Sequence, residues 1–148
     1  MKKRGDMNIF GAIIAFSIIL LLIPVLQFFQ FNQKVTAIEE NIEESLMDAT
    51  TLYSVINYDS IKYQNNKSFS IDENRCVDAV FAGANFTKHS NTYKNNGLTI
   101  HDASVEYGED TNSIVLTYKM DVPFKIIGKT FTTATISRTA TAYFQKIS

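Results

Sequence analysis

The side chains best suited to chemistry in this 148-residue chain are a single cysteine and two histidines. Cys76, His89 and His101 could in principle bind a metal ion together with Asp102 and Glu106. Their spacing matches no known ligand pattern, since protein metal sites usually place ligands a few residues apart in the chain. We therefore expect no metal site and no cofactor, with surface or loop histidines and a buried, structural Cys76.

Paired carboxylates are the other chemistry to consider, because acidic residues cluster between positions 39 and 48. The cluster comprises Glu39, Glu40, Glu43, Glu44 and Asp48. Acid–base catalysis needs carboxylates in a concave, partly buried site, whereas this spacing predicts one solvated face of a helix. The chain also has no glycine-rich phosphate loop, no H-E-x-x-H, no C-x-x-C and no G-x-S-x-G motif. We expect no catalytic residues and no enzymatic activity.

Charge is distributed unevenly along the chain. The net charge is −1; the first 31 residues contribute three basic residues and one acidic residue, or +2, so the remainder carries −3. Nucleic-acid binding has no support, because no basic stripe exists outside the N-terminus. A single cysteine also excludes an intramolecular disulfide.

An uncharged segment follows the basic N-terminus, from Met7 to Gln33. Within it, residues 9–26 are apolar apart from Ser17 and small residues. About 20 helical residues cross a hydrocarbon core of about 30 Å, so the segment predicts a membrane-spanning helix at residues 8–31, with the lipid bilayer as its partner. A cleavable signal peptide is the alternative, but its apolar region is shorter and ends in small residues.

The basic residues at positions 2–4 predict the orientation of this helix. Lysine and arginine are retained on the cytoplasmic side, so residues 1–7 form a cytoplasmic leader and residues 32–148 an extracytoplasmic domain of a single-pass cell-membrane protein. Pro24 lacks an amide hydrogen and predicts a mild kink that a membrane helix tolerates.

Beyond the bilayer the pattern predicts two helices. Apolar residues spaced by three, four or seven positions from Val35 to Ile56 favour an amphipathic helix that continues from the membrane to about Tyr58. A polar loop should occupy Asp59 to Lys67. Ser70 and Glu73 then have capping-box spacing, so a second helix should follow and end near Phe86.

After a polar loop at Asn91 to Gly97, whose Asn95-Asn96-Gly97 is a turn signal, the apolar period changes from 3.6 to 2. Strands are predicted at Leu98 to Tyr107, Ser113 to Val122 and Phe131 to Gln145. We expect a bulge near His101-Asp102, a strand end or sheet edge at Pro123, and a turn at Gly128. The predicted class is α+β: a long helix, a short helix and a three- or four-stranded antiparallel sheet, covered by the apolar stripe of the long helix.

This order of parts resembles type IV pilin-like proteins, most closely the TadE-like pseudopilins of bacterial tight-adherence pilus systems. Lys2-Lys3-Arg4-Gly5 followed by Asp6-Met7-Asn8-Ile9 is similar to the leader of that family, and the stretch from Val122 to Ala142 is similar to its final strands. The resemblance implies that a prepilin peptidase cuts between Gly5 and Asp6. The family has a glutamate five residues after the cut, whereas this chain has Phe10, so an uncleaved anchor is the alternative.

The resemblance also implies that the apolar helix packs beside other pilin-like or pilus-assembly membrane proteins. The residues expected in that packing are Ile9, Phe10, Ile13, Ile14, Leu20, Leu21 and Pro24. The expected function is a non-enzymatic component of a pilus or secretion assembly with a flat helix-on-sheet core. The alternative function, a membrane-anchored extracytoplasmic binding or sensor module, predicts a ligand-sized apolar pocket. A tethered enzyme would need polar residues converging on a cleft near Cys76 or the histidines.

Overall fold

The computed structural model describes residues 3–64, 72–108 and 113–143, with side chains for 8–51, 72–108 and 113–143. The protein has the predicted α+β fold, and the described residues form two helices and one five-stranded sheet. In chain order these are α1 (Lys3–Gln64), α2 (Glu73–Gly83), β1 (Thr87–His89), β2 (Thr92–Asn95), β3 (Leu98–Tyr107), β4 (Ser113–Ile126) and β5 (Lys129–Tyr143).

Helix α1 is one continuous element of 62 residues that runs through Pro24. Its predicted end near Tyr58 is wrong, because the backbone stays helical to Gln64. No glycine or proline occurs between these positions to stop the helix, so the first part of the predicted polar loop extends it. Positions 65–67 of that loop lie outside the described residues.

Helix α2 begins at Glu73 and is capped by Asp72, whose carboxylate accepts a 3.2 Å hydrogen bond from the Arg75 amide. The predicted capping box is therefore wrong: Glu73 is the first helical residue, and Ser70 lies outside the described residues. The predicted end at Phe86 is also wrong. The helix ends at Gly83 because Asn85 adopts a positive φ of 65° and the Phe86 amide bonds back to the Phe81 carbonyl at 2.8 Å.

The antiparallel sheet has five strands, in the order β1-β2-β3-β4-β5, rather than the predicted three or four. Strand β2 lies within the predicted loop at Asn91 to Gly97, so that part of the prediction is wrong. Tyr93 is the buried residue of β2 and β1 is exposed, which leaves too little alternation to reveal two short edge strands. The predicted turn is confirmed, since Asn96 and Gly97 have positive φ and join β2 to β3.

The expected irregularities in the longer strands are largely present. The register of β3 against β4 shifts between His101 and Ser104, where Asp102 has a φ of 51°, so the predicted bulge is confirmed. Strand β4 does not end at Pro123 but continues to Ile126. Pro123 instead lies at a local edge, because the pairs of β4 beyond Asp121 are with β5 alone.

The core lies between the sheet and the two helices. Alternate residues of β4 are buried against α1 and α2, as predicted: Ile114, Leu116, Tyr118, Met120 and Val122. From α1 come Val35, Ile42, Leu46 and Ala49, which confirms the described part of the predicted stripe. The Phe81 ring of α2 contacts the rings of Tyr93 and Tyr118 at centroid distances of 4.6 and 5.8 Å. Each large apolar side chain buried in this way stabilises the fold by about 1.5–3 kcal/mol.

Candidate functional site

The first third of α1 exposes apolar side chains on every side. Most of its large apolar side chains are between 47% and 70% exposed: Ile9, Phe10, Ile13, Ile14, Phe16, Ile18, Ile19, Leu20, Leu21, Leu22, Val25 and Leu26. Successive helical residues are rotated by about 100°, so a run this dense covers the whole circumference of the helix. A continuous apolar surface of this extent is unusual for a protein in water, and the helix is long and apolar enough to cross a bilayer.

Polar groups in this segment are few and are satisfied within the helix or lie at its ends. The Ser17 hydroxyl donates to the Ile13 carbonyl at 2.8 Å, so it needs no water. The first side-chain amides on either side are those of Asn8 and Gln27. Twenty helical residues from Asn8 to Gln27 extend about 30 Å, the thickness of a hydrocarbon core.

The sheet meets the helix at Gln27, at the end of this apolar surface. In the amide orientation that satisfies both groups, Gln27 donates to the Lys125 carbonyl at 3.0 Å and accepts from the Ile127 amide at 3.2 Å. One helical turn later the Phe31 ring packs edge-on against Phe124, with centroids 5.5 Å apart. The turn between β4 and β5, residues 126–129 and here called the hairpin tip, is thereby fixed to α1.

Farther along α1 the helix is fixed to both other elements of the domain. Arg138 of β5 donates to the Glu39 carboxylate at 2.6 Å, and the buried Ser45 hydroxyl donates to the Val80 carbonyl of α2 at 2.6 Å. Gly83 allows this close approach, because a Cβ there would overlap the Ser45 hydroxyl. The position of the apolar segment relative to the domain is therefore set by the core.

The residues singled out for chemistry do not converge on one site, although His101 and Asp102 lie side by side. Cys76 is fully buried in the core, and burial raises the pKa of its thiol to about 11, so it stays protonated and unreactive. His89 and Glu106 are exposed on β1 and β3. Within the described parts of the chain, no three His, Cys, Asp or Glu side chains come together in an arrangement that could hold a metal ion.

His101 and Asp102, two of these residues, share a defined polar environment. The ring nitrogens of His101 lie 3.3 Å from the Asp121 carboxylate and 3.3 Å from that of Asp102. Hydrogen bonding to Asp121 is the largest cause that raises the pKa of His101, and Asp102 adds to it. Lys119 lies 3.0 Å from Asp102. The group is a surface network on the face of the sheet opposite the helices.

The acidic cluster on α1 is a solvated helix face, as predicted: four of its members are exposed, and Glu39 is paired with Arg138. A cleft of 490 Å³ between α1 and α2 has Asn41, Glu44 and Asp48 among its lining residues. A second cleft of 370 Å³ beside β1 to β3 includes Lys88, Asn91 and Asp102. Both are lined in part by charged and amide side chains, whereas a typical ligand pocket is predominantly apolar. Neither is lined by a cysteine or histidine among the residues that the structure describes.

No protein-family model, no curated protein and no solved structure matches this chain. The geometry of the apolar helix and its junction is therefore the basis for a function. Sequence reasoning located the apolar helix and the turn at Gly128 but missed the junction itself. A signal for it exists in the sequence, since Ile127 occupies a turn position where asparagine or glycine is the usual residue.

Proposed function

We propose that this protein is a non-enzymatic, single-pass membrane component of a bacterial pilin-like assembly, of the TadE-like pilus or secretion type. In this proposal α1 anchors the chain in the cell membrane and the α+β domain lies outside the cell. The observation that carries the proposal is the continuity of α1, which is apolar and exposed at one end and part of the domain core at the other.

Continuity matters because it couples the domain rigidly to the membrane helix. A binding module that only has to be held at the membrane can be joined to its anchor by a flexible linker, whereas a subunit that assembles through its helix needs the domain to follow the helix. In a bilayer, helices associate through close packing rather than through the hydrophobic effect. Gly11 has no side chain, which would let a neighbouring helix approach closely in a bilayer.

The orientation and the partners follow from the N-terminal residues. Lys2, Lys3 and Arg4 favour a cytoplasmic N-terminus, and the domain then lies outside. The exposed apolar residues named above, from Ile9 to Pro24, would contact lipid or neighbouring pilin-like helices. Cleavage by a prepilin peptidase would occur between Gly5 and Asp6.

The decisive experiment is mass spectrometry of the protein extracted from membranes of the native cell, which identifies its first residue. A chain that starts at Asp6 supports processing as a pilin-like subunit. An intact Met1 leaves an uncleaved anchor and removes the prepilin step. Recovery of the protein in the cytosolic fraction after a carbonate wash would contradict membrane anchoring altogether.

Orientation and assembly are tested with introduced cysteines, since the buried Cys76 provides a silent background. Thr139→Cys, on the exposed face of β5, should react with an impermeant maleimide on intact cells, while the unchanged protein should not. Cysteines at Phe10, Ile14 and Leu21 share one helix face, and cysteines at Ile19 and Leu22 lie on the opposite side. Only one of these two sets should form disulfide-linked dimers in oxidised membranes. Absence of cross-links on every face would contradict assembly through the helix.

A further inference from the structure

The hairpin tip and the residues beside it carry an apolar surface separate from the helix. Ile127 is 77% exposed and Phe131 is 75% exposed. Among the large hydrophobic residues that the structure describes, these two are the most exposed of all, including those of the apolar helix. In water both would be unfavourable, since each leaves most of a large apolar side chain unburied.

The backbone conformation of Ile127 is a second, independent reason why isoleucine is unfavourable at this position. Its φ is 48°, and Gly128 follows with a φ of 74°. β-branched residues are rare at positive φ, and a two-residue hairpin turn of this kind favours asparagine, aspartate or glycine at the first position. Strained residues of this kind cluster at sites where the strain serves a function. The backbone thus presents an isoleucine where a polar residue would be favoured.

The position of the hairpin tip along the axis of α1 indicates what covers the side chains of Ile127 and Phe131. Gln27 holds the tip through the Lys125 carbonyl and the Ile127 amide. Gln27 is also the first side-chain amide after about 30 Å of apolar helix, and the exposed aromatic rings of Phe28 and Phe29 follow it, as expected at the interfacial end of a membrane helix. Ile127 therefore lies at the level where the hydrocarbon core meets the headgroups. Phe131 lies slightly above it, because its neighbour Thr132 pairs with Phe124 and Phe124 packs on Phe31.

The charges around the tip match a lipid surface. Lys125 and Lys129 flank the turn and are exposed, and Lys34 lies across the cleft from Lys125. The residues that line this 290 Å³ cleft between α1 and the hairpin include no acidic residue in the described chain. Lysines around an apolar tip are the pattern of interfacial membrane contacts, in which the ammonium groups meet lipid phosphates and the apolar residues enter the headgroup boundary.

We propose that the hairpin tip is a second membrane contact of this protein, in which Ile127 and Phe131 insert at the bilayer surface beside α1 and Lys125 and Lys129 face lipid phosphates. This inference rests on α1 spanning the bilayer, as in the proposed function. Two contacts fix what one helix leaves free, namely the tilt of the domain and its rotation about the helix axis.

Tryptophan fluorescence tests the contact directly, because the chain contains no tryptophan and any introduced one is the sole reporter. The full-length protein would be reconstituted at low protein density in phosphatidylcholine–phosphatidylglycerol vesicles, with and without lipids brominated near the headgroup end of their acyl chains. Phe131→Trp is the reporter of the tip. Ile14→Trp reports on the helix, with lipids brominated near the chain ends. Tyr143→Trp, at the opposite end of β5, is the matched aromatic control and is 70% exposed.

We expect Phe131→Trp to lose most of its emission in brominated vesicles and to shift to the blue, and Tyr143→Trp to change little. If Ile14→Trp is quenched but Phe131→Trp behaves like Tyr143→Trp, the membrane anchor stands and the inference fails. If Ile14→Trp is not quenched, the anchor fails and the inference fails with it. A blue shift of Phe131→Trp without bromine quenching would mean that a second protein copy covers the tip, which also overturns the inference.

A second variant separates insertion from turn structure. Ile127→Asn relieves the unfavourable φ, so the fold should be kept or improved, but it removes the apolar side chain. In the Phe131→Trp background we expect bromine quenching to fall clearly below that of the parent. Unchanged quenching would overturn the role of Ile127 without any question of misfolding.

Discussion

The two ends of α1 share one secondary structure and differ in what surrounds them. Residues 8–26 expose Leu, Ile and Phe in all directions, whereas residues 35–50 bury a stripe that includes Val35, Ile42 and Ala49. Apart from the hydrogen bond that Pro24 cannot donate, both ends have the same helical backbone, so the difference lies in the environment that suits their side chains. A helix that is apolar all round needs lipid or other helices, and an amphipathic one needs a single partner surface.

The junction at Gln27 marks the position where the exposed apolar part of α1 gives way to the part that packs on the sheet. Upstream of Gln27, no strand of the described sheet buries a large side chain of α1. Downstream, Phe31 and Val35 begin the contact with the sheet. Substitutions in the apolar segment and in the domain should therefore have different consequences. Two matched pairs compare the regions directly, and two further pairs test the pH dependence that only the domain can provide.

The largest contrast is expected for Ile42→Ala against Ile18→Ala. Ile42 is fully buried, so truncation removes packing and leaves a cavity, which should lower the free energy of unfolding by about 2–5 kcal/mol. Ile18 is 52% exposed, and its truncation should leave domain unfolding unchanged. Urea unfolding of the full chain in detergent micelles, followed by the near-ultraviolet circular dichroism of the tyrosines, measures both. If Ile42→Ala and Ile18→Ala lowered the free energy of unfolding equally, the assigned difference between the two parts of α1 would be wrong.

Next in size is Gly83→Ala, with Gly11→Ala as its counterpart. A methyl group at Gly83 displaces the Ser45 hydroxyl and breaks its hydrogen bond to Val80, so we expect a loss of about 1–3 kcal/mol in the same assay. Gly11 has open space around its Cβ position, and alanine there favours the helix. A neutral Gly83→Ala would show that the packing of α1 on α2 is looser than the structure indicates.

A smaller effect is expected for Asp78→Asn, which addresses pH. The apolar segment contains no titratable side chain, so the domain alone should make stability depend on pH. Hydrogen bonds from Lys88, at 2.8 Å, and from Tyr93, at 2.6 Å, hold the pKa of Asp78 below its ordinary 3.8. The stabilisation that ionised Asp78 contributes to the fold is present above pH 3.8 and is lost as the pH falls through its folded-state pKa.

Since the pair is largely exposed, the contribution should not exceed about 1 kcal/mol. Asp78→Asn should lower the free energy of unfolding at neutral pH and flatten its acid dependence below pH 3.8. Asp48→Asn, on the exposed face of α1, removes a carboxylate in the same way and is the control. The same acid dependence in both variants would remove the assigned role of Asp78.

The smallest effect concerns His101 and is best followed by NMR titration of its ring protons. Asp121 and Asp102 raise its pKa above the ordinary 6.5. Its contribution to stability is therefore present below pH 6.5 and is lost as pH rises through the folded-state pKa. Asp121→Asn should move the titration midpoint down, whereas Glu106→Gln on the same strand as His101 should not. An unchanged midpoint in Asp121→Asn would contradict the hydrogen bond as the cause.

Local pattern was sufficient for the elements whose residues repeat with a clear period. The stripe from Val35 to Ala49 and the alternation from Ile114 to Val122 are set by which face must leave water, and this is visible in the chain. The buried Cys76 and the bulge at Asp102 were also accessible from the sequence. The Ser70 cap was wrong because Asp72, two residues on, offers the same chemistry, and spacing alone does not choose between them.

Tertiary contacts decided the rest. Strands β1 and β2 exist because Tyr93 finds the Phe81 ring and because β3 offers an edge, neither of which an asparagine-rich segment reveals. The junction of Gln27 with the hairpin tip joins residues about a hundred positions apart, and no local period encodes such a contact. The sequence by itself thus determined which side chains avoid water, since that depends on their own chemistry. The structure determined which surface covers them, since that depends on where the chain returns.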